Sequence, residues 1–493
     1  MGCTNSNATP PSPAIAPGAE DIDPRHAAER LVRAHGPGGM HPLVRELVPA
    51  FDAPFFQAGL AGYSDAAMRI IARRHGCPYC VTEALLDRTL LAGGRGFAKA
   101  DLGELHNNIP GGVEDTPLAG QIMGSEPEEM AAAALKMVEQ RARSEKEYRR
   151  LAYAGAAAHL APGAPERHAE RSSAPTSPAR APGPHLRLPG GEQLGRFDLA
   201  ADLEEVASAT DASPIVASSH RRSGPAFSAV DINLACPVKK ISSKARGGHW
   251  LAEPDGAIAI LEHVRDSLPA EVRCTLKIRR SFDDTSEMAL AFRRIAHAAY
   301  DMGYAWITVH ARTVEQKYVG PSRWDILRDE VRLLRKHHPD RLVFGSGDIW
   351  SAGDIFRMIA YAGVNAASVA RGCIGNPWIF RQARDLLEGR EPRCPTLPEQ
   401  RRVLEDHFTL ALAVNAGSRR PEAFTGRVMR KFGIRFAEHH PRADEVRARF
   451  TRVESLDDWH DVLDEFYAAV DRSPGARSLC NSWRGLSTPS PTD

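Results

Sequence analysis

Short apolar segments alternate with longer amphipathic segments over most of the chain. The segments 228–234, 274–278, 305–309, 342–345 and 366–369 are short and carry apolar residues on both faces, and a stretch with helical spacing follows each one. Strands that are apolar on both sides and separated by helices are typical of a parallel sheet covered on both faces. With three similar units earlier in the chain, the total is about eight, which predicts an α/β fold of the (β/α)8 TIM-barrel type. A doubly wound open sheet would have fewer units and a G-x-G-x-x-G turn after its first strand, and that turn is missing.

Three parts of the chain lack this pattern. Residues 1–46 are rich in Pro, Ala and Gly, and we predict a disordered tail with one short helix near Ala27–Ala34. Residues 153–224 are dominated by Pro, Ala, Arg, Ser and His, which predicts a low-complexity, disordered insertion. A second disordered tail is predicted at 472–493. The barrel is therefore expected to comprise residues 47–152 and 225–392.

Residues 393–471 have helical spacing but no strand pattern, which predicts a small C-terminal all-helical domain. The net charge of the whole chain is only +1, so any nucleic-acid surface must be local. The helical segment carries more bases than acids, and its charge pattern fits an RNA-binding face and an ordinary solvated surface equally well. Its bases include Arg401, Arg402, Arg419, Arg420, Arg427, Arg430, Lys431, Arg435, Arg442, Arg447, Arg449 and Arg452.

The number of cysteines and the hydropathy of the chain indicate the cellular compartment in which the protein is expected. Eight cysteines in 493 residues do not resemble a disulfide framework, and a reducing compartment fits better. Cys77 and Cys80 form a C-x-x-C pair, but no second pair completes a zinc site, so we expect no metal there. We interpret them as two buried cysteines that enter a strand, with a metal or redox role as the alternative. No apolar run approaches the roughly 20 residues of a membrane span, and no secretory signal is evident. We expect a cytoplasmic monomer without a membrane partner.

In a barrel, all strands end at one mouth, and chemistry is usually mounted there. Asp231–Leu234 is followed by Cys236-Pro237, which ends the strand and places a thiol on the following loop. Gly247 and Gly248 permit close backbone approach to this loop. A cysteine in such a setting is ordinarily a core residue, so its neighbours at the other strand ends decide its role.

Two glycine-rich turns lie after the seventh and eighth predicted strands, at 345–348 and 370–372. Barrel phosphate sites are often built at this position from backbone N–H groups, which favours a phosphorylated cofactor. Lys277 and His310 are also expected at strand ends, where each is either a satisfied core residue or a ligand group. A cation and an imidazole beside a phosphate site suit a flavin, because they can stabilise the negative charge of its reduced form.

Several motifs together resemble the tRNA-dihydrouridine synthase family, nearest to its bacterial B-type members. The resemblance covers about 48–150 and 225–470. The matching segments, in order, are Asp231-Ile232-Asn233-Leu234-Ala235-Cys236-Pro237-Val238-Lys239-Lys240, Thr275–Arg279, Thr308–Thr313 with Gln316–Pro321, Gly347–Ile349, Arg371–Gly372, Gly375–Phe380 and Met429–Lys431.

The resemblance implies an FMN enzyme that reduces the C5=C6 bond of specific uridines in tRNA, with NADPH reducing the flavin again. By position, Cys236 would be the general acid, which protonates C5 while hydride from flavin N5 goes to C6. An unperturbed thiol is mostly protonated at neutral pH, which suits a proton donor. Asn233, Lys277 and Arg279 would bind the uracil. The implied cofactor-binding residues are Gly59, Leu60, Ala61, Gln121, Lys277, His310, Ser346, Gly347, Asp348, Ala370, Arg371 and Gly372.

The chain departs from the family pattern at four places. Gly59-Leu60 stands where the family has Pro-Met, and Ala235, Ser346 and Ala370 replace Gly, Asn and Gly. The sequence leaves open whether the missing side chains weaken FMN binding. An FMN barrel oxidoreductase acting on a small molecule, of the dihydropyrimidine or enone type, and a non-catalytic RNA-binding relic are the alternative interpretations. The basic helical domain argues against the first, and retention of Cys236 and Lys277 argues against the second.

Overall fold

The chain forms a closed barrel of parallel strands. The computed structural model describes residues 18–92, 112–139, 227–237 and 246–468. The strands are β1 (Phe55–Gln57), β2 (Cys80–Val81), β3 (Leu85–Leu86), β4 (Leu118–Met123), β5 (Ala229–Leu234), β6 (Cys274–Arg279), β7 (Trp306–His310), β8 (Leu342–Ser346) and β9 (Ala366–Val369). The barrel is closed because β9 pairs with β1. The short strands β2 and β3 both pair with β4 and together occupy one position, so the described strands form an eight-stranded barrel. The predicted (β/α)8 fold is confirmed.

Helices cover the outside of the barrel, and their ends follow local sequence signals. They are α3 (Ala66–Arg74), α4 (Asp87–Ala92), α5 (Pro127–Glu139), α6 (Pro254–Ser267), α7 (Ser286–Asp301), α8 (Trp324–His337), α9 (Ala352–Ala362) and α10 (Trp378–Leu387). Thr285 and Ser351 accept hydrogen bonds from backbone N–H groups in the first turns of α7 and α9, as helix N-caps do. The strands are buried on both faces, so the apolar stripe of each helix packs against them.

Four further helices form the C-terminal region, as the sequence predicts. They are α11 (Leu397–Val414), α12 (Pro421–Ala437), α13 (Ala443–Phe450) and α14 (Leu456–Phe466). Phe408, Phe450 and Trp459 are fully buried and pack in one cluster among these helices. The region packs on the barrel through α11 and α3. Among the described helices, none is long and apolar enough to cross a bilayer.

The N-terminal segment corrects one prediction, because residues 18–46 are ordered. Helix α1 (Pro24–His35) contains the short helix expected near 27–34 and packs on α9 and α10. Helix α2 (Pro42–Leu47) follows, and Met40 and Val44 pack with core residues of the barrel. The segment looked disordered because each helix is short and has few apolar residues, and its packing partners lie far along the chain.

Several predicted features lie outside the described residues. They are the insertion at 153–224, the tail at 472–493, residues 1–17 of the first tail, and Lys239 and Lys240. The insertion therefore stays a prediction, and it is testable. We expect that a chain lacking residues 155–222 remains soluble and keeps its far-ultraviolet circular dichroism, because a composition of this kind cannot bury a core. Loss of soluble protein on that deletion would contradict the prediction, and an equally long deletion within 254–321, which removes two barrel units, is the control for failure to fold.

Candidate active site

A cluster of polar side chains lies inside the barrel near the mouth. The strand register places Gln121 beside Asp231, Asp231 beside Thr275, and Asn233 beside Lys277. These residues alternate along β4, β5 and β6, so their side chains point to the same face, the barrel interior. Polar and charged groups there must find partners, because unpaired buried polar groups are costly.

Three of these residues form a directed chain of hydrogen bonds that ends at the loop of Cys236. Gln121 donates through Nε2 to the Asp231 carboxylate at 2.6 Å, and Asn233 donates through Nδ2 to Gln121 Oε1 at 2.7 Å. Asn233 Oδ1 then accepts the backbone N–H groups of Ala235 (2.9 Å) and Cys236 (3.2 Å). Because the carboxylate accepts from Gln121, the orientation of each amide is determined in turn. Asn233 therefore positions the cysteine loop.

Asp231 and Thr275 are functional candidates that the sequence interpretation missed. Thr275 Oγ1 donates to Asp231 at 2.6 Å, and both residues are buried. Burial raises the pKa of Asp231, while its hydrogen bonds and Lys277 oppose that shift. A carboxylate in the middle of an apolar strand, two residues before Asn233 on the same face, is the signal that could have identified Asp231.

Lys277 is a partly buried cation near the end of β6, beside Asn233 in the strand register. Burial lowers its pKa, the Asp231 carboxylate raises it, and the nearby Arg279 guanidinium lowers it further. Its Nζ has no hydrogen-bond acceptor among the residues that the structure describes. The ammonium group is therefore available to a ligand at the mouth.

Cys236 is partly exposed, whereas the other described free cysteines, at 77, 80, 274 and 373, are buried. The glycines expected to approach it do so: Gly248 donates its N–H to the Cys236 carbonyl at 3.0 Å, and a Cβ added at Gly247 would lie 2.9 Å from Cys236 Cβ. Gly247 also has a φ of +56°, which favours glycine. Arg246, just before this pair, donates to Ser125 Oγ at 3.0 Å and so ties the loop to the end of β4.

Arg279 connects the cysteine loop to the loop after β7. Its Nε donates to the Ala235 carbonyl at 2.9 Å, and its Nη1 donates to the carbonyls of Thr313 (2.7 Å) and Lys317 (2.8 Å). Burial lowers the pKa of Arg279 to about 10, so the guanidinium stays charged at neutral pH. Only Nη2 lacks an acceptor in the described part of the chain. The predicted contact of Arg279 with a substrate would have to use that nitrogen.

His310 is a neutral hydrogen-bond donor at the end of β7. Burial and the nearby cations Arg279 and Lys277 hold its pKa well below the usual range. Its Nδ1 accepts the backbone N–H of Arg312 at 3.2 Å, which places the proton on Nε2. That N–H has no partner among the described residues.

The loops after β8 and β9 form the side of the mouth where phosphate was expected. Within the described residues, the backbone N–H groups of Gly347, Asp348, Ile349, Arg371 and Gly372 donate to no acceptor. A Cβ at Gly372 would lie 2.1 Å from the carbonyl oxygen of Ile349, so only glycine allows the two loops to meet. Adjacent unpaired N–H groups suit an anionic ligand.

Asp348 and Arg371 differ in whether their charged groups are available to a ligand. The Asp348 carboxylate accepts from Arg312 Nη2 at 2.7 and 2.8 Å and from the Ser322 N–H at 2.7 Å, so it braces the β7 and β8 loops. Arg371 is 3.7 Å from Asp348 and lies over the rings of Trp350 (5.0 Å) and Tyr318 (5.2 Å). Its side chain is 35% exposed, which leaves it open to an anion.

The remaining predicted residues, Gly59, Leu60, Ala61, Ser346 and Ala370, also lie at strand ends around the mouth. A Cβ at Gly59 would lie 2.2 Å from the Thr82 carbonyl oxygen, so the loop after β1 approaches the β2 loop closely. Cys77 and Cys80 lie at the start of β2, away from the mouth, with their sulfurs 3.9 Å apart. The described ranges contain no group of three or more residues suited to hold a metal ion.

The basic residues of the helical region fall into two groups. Seven of them bind groups of the chain itself: Arg401, Arg430, Lys431, Arg435, Arg442, Arg447 and Arg449. Five are exposed, and their side chains have no partner among the described residues: Arg402, Arg419, Arg420, Arg427 and Arg452. Arg420 is the N-cap residue of α12, and Arg427 lies two turns later in the same helix. The free basic surface is therefore smaller than the sequence suggests.

Comparisons with known proteins agree with the motifs. A probable tRNA-dihydrouridine synthase of Mycobacterium tuberculosis is 30% identical over 254 residues, covering 50% of this chain and 62% of the relative. One from Treponema pallidum is 36% identical over 163 residues, covering 32% and 47%. The tRNA-dihydrouridine synthase B of Shewanella oneidensis is 28% identical over 246 residues, covering 48% and 69%. The chain thus spans less than two thirds of the length of the first two relatives.

A match to the sequence model of a protein family assigns the chain to a family. The model described as dihydrouridine synthase matches residues 213–471, which include the cysteine loop, five of the barrel strands and all four C-terminal helices. Because this match extends over more than half of the 493 residues, the protein belongs to the dihydrouridine synthase family.

Proposed function

We propose that the protein reduces the C5=C6 bond of uridines in tRNA to give 5,6-dihydrouridine, with FMN as its cofactor and NADPH as the reductant of FMN. The observation that carries the proposal is the partly exposed Cys236 thiol, which an amide chain holds at the barrel mouth of a dihydrouridine synthase family member. We further propose that it acts in the cytoplasm as a monomer.

The residues around the mouth fit FMN. The unpaired N–H groups after β8 and β9, together with Arg371, suit a phosphate. Lys277 Nζ and His310 Nε2 are donors without acceptors among the described residues, and they suit the polar edge of a flavin ring. Bound FMN would supply the hydride that goes to C6 of uracil.

The chain itself would supply the proton and the binding contacts. Cys236 would give its thiol proton to C5, and the Lys277 ammonium would stabilise the thiolate that remains. Asn233 would keep the cysteine loop in position, and its second amide N–H, with Arg279 Nη2, would be available to the uracil carbonyl groups. The uridine must leave its base stack to reach this depth.

The exposed arginines of the helical region favour RNA over a small-molecule substrate, because a small molecule does not need them. Replacing Arg419, Arg420 and Arg427 together with glutamate is expected to weaken tRNA binding and to leave flavin content unchanged. The slope of log affinity against log salt should become shallower by roughly one for each phosphate that the protein no longer neutralises. Filter binding at several salt concentrations measures this, and Arg332→Glu on the outer helix α8 is the matched control. Unchanged affinity in the triple variant would exclude this surface.

The charge of Asp231 is expected to act on the alkaline limb of the pH–rate profile through Lys277, in addition to the deprotonation of the Cys236 thiol. Asp231→Asn keeps acceptor and donor groups for Gln121 and Thr275 but removes the anion that raises the pKa of Lys277. Lys277 then loses its proton at a lower pH, so the alkaline limb of the pH–rate profile should move to lower pH. Thr275→Val, which removes a hydrogen bond without removing charge, should leave the limb in place. An unmoved limb in Asp231→Asn would show that this charge does not act on the reaction.

The most direct test of the function is a map of dihydrouridine in tRNA from a strain that lacks the protein. Loss of the modification at defined positions, restored by the wild-type gene, is the expected result. A complete set of dihydrouridines in that strain would reject the proposal. Purified protein without flavin absorbance would instead favour a non-catalytic RNA-binding role.

A further inference from the structure

Helix α12 of the C-terminal region touches the barrel mouth through Lys431. Lys431 Nζ donates to the carbonyl oxygen of Gly62, and the N–H of Gly62 donates to the Glu83 carboxylate at 2.9 Å. Both polar backbone groups of Gly62 are therefore fixed, one by the helical region and one by the loop after β2. Gly62 ends the loop 59–62 and has a φ of +74°, a conformation that favours glycine.

The surroundings of Lys431 make this contact strong. Its ammonium lies 5.1 Å from the ring of Tyr63 and 5.2 Å from the ring of Phe432, and these two rings meet edge to face. Burial raises the pKa of both Asp65 and Glu83, and the charge of Lys431 opposes the shift in each. A cation among two aromatic rings and two largely buried carboxyl groups is held by several interactions at once.

The same helix also contacts the loop that follows β9. Gly375 has a φ of +73°, and a Cβ added there would lie 2.5 Å from the carbonyl carbon of Arg435, one turn after Lys431. Phe436 meets Trp378 edge to face, with ring centroids 5.9 Å apart. Helix α12 thus contacts Gly62, next to the predicted cofactor-binding residues 59–61, and Gly375, three residues after the predicted segment 370–372.

We propose that Lys431 is a positioning residue for the cofactor: through Gly62 it holds the loop 59–62 in the conformation that binds FMN. This rests on the proposed function. The charge pattern of the helical segment left Lys431 open between an RNA-binding face and a solvated surface, whereas its contact with Gly62 is directed toward the barrel mouth. Exposed Arg427 of the same helix keeps the RNA-binding role.

Lys431→Met in the full-length protein tests the proposal. The variant loses the charge-assisted hydrogen bond to Gly62 and the contacts of the ammonium with its neighbours, which should weaken FMN binding roughly ten-fold to a hundred-fold. Quenching of flavin fluorescence on titration of apoprotein measures the affinity. Binding of tRNA, measured by filter binding, should stay at the wild-type level. Lys431→Arg, which keeps the charge and the donor, should restore most of the FMN affinity. Arg427→Met should show the opposite pattern, with weaker tRNA binding and normal FMN affinity.

Arg430→Met controls for general destabilisation of the helical region. Arg430 binds the Val453 carbonyl and Glu454 within that region, so its loss should lower the stability of the region but leave the contact of Lys431 with Gly62, and with it FMN affinity, near the wild-type value. Wild-type FMN affinity in Lys431→Met, or an equal loss in Arg430→Met, would overturn the proposal while leaving the proposed function intact. A wild-type protein that binds no FMN would instead reject the cofactor assignment and the proposal with it.

Discussion

Replacing Cys236 with alanine is expected to abolish dihydrouridine formation while the protein keeps its flavin. The thiol is partly exposed at the mouth, with its loop held by Asn233 on one side and by Gly248 on the other. Removal of a positioned proton donor costs roughly 10²- to 10⁴-fold in rate. The small side chain of alanine leaves the backbone contacts of residue 236 in place, so cofactor binding should not change. Dihydrouridine formed per flavin, measured on tRNA lacking the modification, is the quantity to compare.

Two matched variants make this result specific. Cys236→Ser keeps a hydroxyl in the same place, but an alcohol is a much weaker acid than a thiol, so it should restore little activity. Cys274→Ala removes a buried thiol on the neighbouring strand β6 and should retain near wild-type activity. A product yield in Cys236→Ala equal to that of the wild type would reject the assigned role.

The barrel itself could be predicted from the sequence because its strands are unusually regular. Segments such as those of β8 and β9 are mostly apolar, and β5 departs from this pattern only at Asp231 and Asn233; capped helices such as α9 follow strands of this kind. The ordered N-terminal segment could not be predicted in the same way. Its helices α1 and α2 are stable only because they pack on distant residues, for example where Met40 meets the barrel core.

The candidate site shows a similar division. Its members could be predicted, because the carboxyl ends of parallel strands meet at one mouth, and the motifs lie in order along the strands. The role of each side chain could not be predicted, because it depends on which hydrogen-bond and ion-pair partners the side chain finds in the folded protein. Asp348 is fully engaged by Arg312 and Ser322, and Lys431 reaches back to Gly62 rather than outward. Such pairings arise from contacts across the fold and leave no spacing pattern in the sequence.

Asn233 provides the second large expected effect, because it connects the buried network to the proton donor. Asn233→Ala leaves the N–H groups of Ala235 and Cys236 without their acceptor and removes the donor to Gln121. Misplacement of a reacting group by about 1 Å can lower a rate by roughly 100-fold, and we expect a loss of that size in dihydrouridine formation. Single-turnover kinetics of the flavin-reduced enzyme with tRNA measures it.

Asn233→Asp separates the two halves of this role. A carboxylate can still accept both backbone N–H groups, but it cannot donate to Gln121 Oε1, which is held in place because Gln121 Nε2 binds Asp231. Two acceptors would then face each other at the distance of a hydrogen bond, so the aspartate variant should also be slow, and more so at high pH where it is ionised. Ser228→Ala, just before the start of the same strand, is the control and should be near wild type. Full activity in Asn233→Asp would mean that the contact with Gln121 does not position Cys236, and that the two backbone hydrogen bonds alone are sufficient.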